Sequence, residues 1–368
     1  MFDAYVDRGG NFIDTAGYYA DGRSEDLTGA FAHAKRERLV LATKYSLTRG
    51  EGDPNAAGNS RRTMMQTVET SLKRLRTDRI DLFFLHVWDG TTPGDEILRA
   101  FDDLVRQGKV LYLGISDTPA WQIARLQTVA ELRGWTQFAG LQVEYNLIER
   151  TAERDLIPAA QALGIGVLPW SPLASGRLAG KYATGATAGE TAEEPGGRAP
   201  LLAATGRVNA RAVAIADAVK AVADEIGVTS AQVAIAWTLR NPAVVSPLIG
   251  ARTMRQLDDN LGALGVALEA DHVARLEEAS RFEPGFPHDF LAAPMIRRGL
   301  TGGPRSCRAA RAMPRNFERS QGRWISHEPG RKSGDRDRSI LGHWRGDGAR
   351  VGPRRRYHRP RRTPGGKA

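Results

Sequence analysis

At 368 residues the chain is long enough to bury a large core, and its single cysteine, Cys307, excludes an internal disulfide. The formal charge of +10 points to a nucleic-acid binder only until it is located: residues 304–368 hold 17 Arg and 2 Lys against 5 acidic residues, a net of +14, which leaves the first 303 residues at −4. No run approaches the ~20 apolar residues of a membrane span, and MFDAYVDRGGNF has no basic stretch leading into an apolar one, so we expect no signal peptide, no membrane and a cytoplasmic protein.

Along the body, short apolar runs alternate with segments of helical spacing. NFID (11–14) precedes SEDLTGAFAHAK (24–35), with Ser24 as the expected N-cap. LVLATK (39–44) precedes RRTMMQTVETSLKRLR, and DLFFLH (81–86) precedes PGDEILRAFDDLVRQG, with Pro93 near its start and Gly108 past its end. VLYLGIS (110–116), GLQVEY (140–145), GVLPWS (166–171) and VVSPLIG (244–250) complete the series, each followed by one or more helical patterns. The strands are apolar throughout rather than alternating, as strands covered on both faces are. Regular β/α alternation predicts an α/β fold, and seven units in about 260 residues predict a (β/α)8 TIM barrel. A doubly wound Rossmann sheet would want GxGxxG after its first strand, and none is there. Because FDAYVDRGGNFID reads as the end of a helix entering a strand, the expected barrel lacks its first strand.

In such a barrel the chemistry gathers where the strands end. The predicted strands end in Asp14, Lys44, His86, Ser116 with Asp117, Gln142 with Tyr145, Trp170 with Ser171, and Gly250 followed by Arg252. A lone histidine at a strand end is ordinary; polar residues at every strand end describe a site. Tyr19 lies five residues beyond Asp14. A phenol, with an ordinary pKa of about 10, donates slowly at neutral pH. An ammonium beside it favours the anion, and a carboxylate would orient that ammonium. Asp14, Tyr19, Lys44 and His86 are thus suited to protonating a carbonyl oxygen while something else adds to its carbon. No metal-ligand spacing and no nucleophile elbow occur.

These segments, with DTAGYY, LATKY, GKVLYLGISD, LQVEYNL, LPWSPLASGRLAGKY and LIGARTMRQLDDNLGAL, resemble the aldo-keto reductase family, in the family's order, from about residue 2 to about 303. The similarity extends to the group containing potassium-channel β-subunits and bacterial stress reductases. It implies an NADPH-dependent reductase on a (β/α)8 barrel, with Tyr19 as general acid, Lys44 and Asp14 as its tuning pair and His86 orienting the substrate. It further implies that Ser116 and Gln142 hold the nicotinamide carboxamide, Trp170 stacks on the ring, and Ser171 and Leu173 line the pyrophosphate. Gly250, Arg252, Gln256 and Asn260 would surround the 2′-phosphate and adenine, the Arg252 guanidinium suiting NADPH.

Three departures stand beside the resemblance. Asp117 occupies the place where relatives usually carry Asn, keeping an acceptor and losing the amide donor. The family's first strand and its Gly-Thr loop are absent, and the family pattern gives way near Gly303. We therefore expect a barrel domain over 1–303 and a basic, Arg/Gly/Pro-rich disordered tail over 304–368. The tail can neutralise phosphates non-specifically, but it has no motif for a specific nucleic acid and reads like a C-terminus in a shifted frame. The long segment 175–209 suits a lid over the cofactor and a plain flexible loop equally. Two other functions stay open: a cofactor-binding regulatory protein, and an inactive truncated fragment.

Overall fold

The computed structural model describes residues 1–47, 52–180 and 209–301. The tail 304–368, and most of the predicted loop at 175–209, lie outside the described residues. Six strands, β1 (Phe12–Asp14), β2 (Val40–Tyr45), β3 (Ile80–Leu85), β4 (Val110–Ser116), β5 (Phe138–Glu144) and β6 (Gly166–Trp170), form one sheet in sequence order, every neighbouring pair parallel. Helix α1 (Phe2–Asp7) precedes the sheet; α2 (Arg23–Ala32), α3 (Arg61–Leu75), α4 (Gly94–Arg106), α5 (Ala120–Arg133) and α6 (Leu156–Leu163) connect the strands. After β6 come α7 (Ala210–Ile226), α8 (Ser230–Leu239), α9 (Met254–Gly262), α10 (Ala270–Ala279), α11 (His288–Ala292) and α12 (Pro294–Thr301). Among the described residues no helix is long and apolar enough to cross a membrane.

The sheet is curled, and one hydrogen bond demonstrates it. Gln142 Nε2 on β5 donates to Asp14 Oδ1 on β1 at 3.0 Å. Four strand spacings in a flat sheet would separate those strands by about 19 Å.

Curling gives each strand an outer and an inner face, both apolar below the mouth. Outward, Phe83, Leu85, Leu113, Ile115, Leu141 and Val143 pack under the helices. Those helices supply Met64 and Val68 from α3, Ile97, Leu98, Phe101 and Leu104 from α4, and Ile123 and Leu126 from α5, spaced three or four residues apart along one stripe of each helix. Inward, Ala42, Leu82, Phe84 and Leu168, with Phe12 and Leu248 against them, form a separate plug. Phe84 is fully buried and fits because β4 passes it with Gly114, where an added Cβ would lie 2.3 Å from the ring. Gly114→Ala should therefore cost roughly 1–3 kcal/mol by overpacking; urea unfolding would measure it, and an unchanged midpoint would mean the ring moves aside freely.

Two expectations are corrected. The segment 244–250 is not a strand: Val244 makes an isolated parallel bridge to Val167, with Val245 N and Leu248 N donating to Val167 O and Pro169 O at 2.9 and 2.8 Å. Pro247 has no N–H to donate, so no regular ladder forms beside β6. Ser24 is not the N-cap of α2, which begins one residue earlier behind Gly22 at φ 88°. The Ser24 hydroxyl instead accepts from Thr15 Oγ1 at 2.7 Å.

Candidate active site

The register of the sheet decides which residues meet. Asp14 pairs with Ala42, Lys44 with Phe84, Phe84 with Gly114, Gly114 with Gly140, and Gln142 with both Ser116 and Leu168. Residues two apart on a strand share a face. Lys44, His86, Ser116, Gln142 and Trp170 are therefore the next inward layer above the apolar plug. Tyr145 has the opposite parity to Gln142. It turns outward, is buried against Trp237 at 5.2 Å between ring centroids, and donates to Glu153 at 2.8 Å, so it does not join the site. Its burial pushes the phenol well above its usual range.

At the centre is Lys44, whose side chain is fully buried. Its ammonium has three protons and three acceptors in reach: Asp14 Oδ2 at 2.6 Å, the Thr15 carbonyl at 2.9 Å and Tyr19 Oη at 3.5 Å. Tyr19, not the neighbouring and more exposed Tyr18, reaches the lysine. It sits at the start of a turn, Tyr19–Gly22, in which Ala20 and Asp21 adopt φ of 49° and 56°. The Tyr19 ring lies edge-on to His86 with centroids 5.7 Å apart. A partly exposed hydroxyl, a buried cation and an imidazole thus converge at the open end of the sheet.

Burial, and behind it the Lys44 charge, lowers the His86 pKa to about 3. The imidazole is therefore neutral at ordinary pH and offers one N–H donor. The unfolded chain takes up this proton near pH 6.5, which the folded chain does not until about 3. The His86 contribution to stability is thus intact above pH 6.5 and declines as pH falls towards 3. An NMR titration of the ring should show no inflection between pH 5 and 8; one near 6.5 would contradict this environment.

The remaining candidates divide into two groups. Ser116 Oγ is buried and makes no hydrogen bond of ordinary geometry, so an incoming polar group has a place to pair. Asp117 has φ 38° and accepts from Trp170 Nε1 at 3.2 Å. Asp117 reaches solvent at the rim, yet crowding around its carboxyl raises its pKa, with the indole N–H, Lys44 and the adjacent Ser116 hydroxyl pulling against it. Ser171, at φ 55°, accepts from Ser175 N at 3.0 Å, and its carbonyl accepts from Asn146 Nδ2 at 3.0 Å. Leu173 packs partly buried against the outer core. Elsewhere, Gly250, Arg252, Gln256 and Asn260 gather at the start of α9, which Thr253 caps. Gln256 Oε1 accepts from Arg252 N at 2.8 Å and Asn260 Nδ2 donates to the Gly250 carbonyl at 3.3 Å, leaving Arg252 on the surface. Among the described residues no cluster could hold a metal ion.

Two supporting residues escape a reading of sequence. Glu25 is fully buried beneath the Tyr19 turn, accepting from Thr43 Oγ1 at 2.7 Å and pairing with Arg74 at 3.4 Å. In sequence it is one more acid on a helix, with no signal of burial. Asn146 was visible only as part of LQVEYNL; its Oδ1 also accepts from Ile148 N and Glu149 N at 2.9 Å, closing the turn after β5.

A family model described as the Aldo/keto reductase family matches residues 1–281. The chain belongs to the aldo/keto reductase family. This aldo/keto reductase is 37% identical over 300 residues to the aryl-alcohol dehydrogenase of Phanerodontia chrysosporium, whose name specifies NADP(+), covering 78% of this chain and 77% of that one. It is 34% identical to the probable aryl-alcohol dehydrogenase AAD4 of Saccharomyces cerevisiae, covering 79% and 90%, and 32% identical to the norsolorinic acid reductase of Aspergillus flavus, covering 79% and 73%. Family membership makes the chain an oxidoreductase.

Proposed function

We propose that this aldo/keto reductase reduces an aldehyde or ketone to an alcohol with NADPH, and that Tyr19 donates the proton. One observation carries the reading: Tyr19 Oη stands 3.5 Å from a buried ammonium that Asp14 holds at 2.6 Å, at a mouth shared with a neutral imidazole. The relatives named for aryl alcohols and norsolorinic acid make aromatic carbonyls the substrates to try first. The finer fold reading is a (β/α)8 barrel of which β1–β6 are the regular part and 244–248 the irregular neighbour of β6.

NADPH bound in the mouth would supply a hydride to the carbonyl carbon. The protein does the rest. His86, neutral, donates a hydrogen bond that orients the carbonyl oxygen and polarises it. Tyr19 passes its proton to that oxygen as negative charge develops there. The phenolate left behind faces Lys44, and the Asp14 carboxylate keeps that ammonium aimed at it. Gln142, bonded to Asp14, ties the far side of the mouth to the same carboxylate.

The cofactor fits these residues. The unsatisfied Ser116 hydroxyl suits the carboxamide, Trp170 offers a flat face, and Ser171 opens the turn after β6. The Arg252 guanidinium, exposed at the start of α9, supports a preference for the 2′-phosphate of NADPH. Purified protein mixed with NADPH and a series of aromatic aldehydes should deplete NADPH absorbance, and far more slowly with NADH. Saturable NADPH binding without depletion by any carbonyl would favour the regulatory reading; no binding at all would favour an inactive fragment.

A further inference from the structure

The mouth carries a charge that the proposed reaction does not use. Asp117 closes the end of β4, one residue after the unsatisfied Ser116 hydroxyl, and Ser116 is in register with Gln142. Gln142 in turn bonds Asp14, so the Asp117 end of β4 adjoins the reacting centre. One bond orients the carboxylate at the exposed rim: Trp170 Nε1 donates to its Oδ1 at 3.2 Å, and its backbone holds φ 38°, a region that Asp and Asn tolerate better than other side chains. Among the described residues it has no ion-pair partner; Lys44, the cation that acts on it through space, is already committed to Asp14.

A ring that delivers hydride to a carbonyl held by Tyr19 and His86 must lie in this mouth, against the ends of β4, β5 and β6. Oxidation makes that ring positive; reduction makes it neutral. A fixed anion beside it distinguishes the two forms, which differ little in shape. We propose that the Asp117 carboxylate biases this site towards the oxidised nicotinamide, so that NADP+ binds more tightly relative to NADPH than it would beside an amide. The consequence is a bound NADPH that is a stronger hydride donor than it would be beside an amide, with the equilibrium on the enzyme tilted towards carbonyl reduction. The inference rests on the NADPH reading above.

Asp117→Asn tests it with little disturbance, since Asn keeps an oxygen acceptor for Trp170 and tolerates the positive φ. Glu144, inward on β5 beside Trp170, is common to both proteins, so the comparison isolates one charge. The readout is the pair of dissociation constants for NADP+ and NADPH at pH 8, by equilibrium dialysis, for the wild type, Asp117→Asn and Asp117→Ala. The ratio of the NADP+ constant to the NADPH constant should rise about tenfold in both variants, mostly through weaker NADP+ binding, as expected for one unit charge acting across a partly solvated cleft. If both cofactors bind and the ratio stays within twofold, or both weaken equally, the electrostatic role is wrong while the NADPH reading stands. If the wild type binds neither, the NADPH reading falls and this inference with it.

Discussion

Tyr19→Phe should lose carbonyl reduction by about 10²–10⁴-fold, the range that a positioned general acid supplies, while binding NADPH as the wild type does. The substitution removes one oxygen, which stands 3.5 Å from Lys44 Nζ, and leaves the ring edge-on to His86. Tyr19 is 38% exposed, and without its hydroxyl Lys44 keeps its two closer partners, Asp14 Oδ2 and the Thr15 carbonyl. Melting temperature should accordingly stay within a degree or two. Steady-state rates with an aromatic aldehyde, alongside NADPH titration, check both halves. A Tyr19→Phe protein that keeps most of its rate would remove the proton donor from the mechanism.

Lys44→Met should do more damage, because it harms the fold as well as the reaction. The Lys44 side chain is fully buried and that of Asp14 only 14% exposed, so removing the ammonium strands a carboxylate in a confined site. Breaking one side of such a pair typically costs 3–5 kcal/mol. It also removes the partner that a phenolate at Tyr19 needs. Combining Lys44→Met with Asp14→Asn should recover much of the lost stability, since no uncompensated charge remains, and should recover none of the activity. Denaturant unfolding of the two single variants and the double variant reads the coupling directly. Additive losses would mean that the pair is not energetically linked.

The contrast between these two variants tracks what the sequence made legible. Lys44, His86, Ser116 and Gln142 could be placed at one mouth because strand ends and a period of two are local properties. Tyr19 stood out by lying five residues beyond Asp14, and its hydroxyl lies 3.5 Å from Lys44 Nζ. The limits were equally physical. The β/α count predicted a curled sheet, but the particular bond by which Gln142 meets Asp14 across it has no local signature. The failure of 244–250 to pair regularly traces to Pro247, which an apolar pattern overrides on paper but a hydrogen-bond ladder cannot. Ser24 reads as a cap by composition; its hydroxyl is taken by Thr15, and Gly22 opens the helix instead. Glu25 and the Trp170–Asp117 bond join residues whose proximity is tertiary.

Transfer of deuterium tests the central claim most directly. The protein is given NADPH deuterated at the transferable position together with an aromatic aldehyde, and the alcohol is analysed by mass spectrometry. The mechanism predicts alcohol with deuterium on its carbinol carbon from the wild type, and about 10²–10⁴-fold slower accumulation of the same labelled alcohol from Tyr19→Phe. Unlabelled alcohol, or no alcohol from a chain that binds NADPH and melts cooperatively, would contradict it.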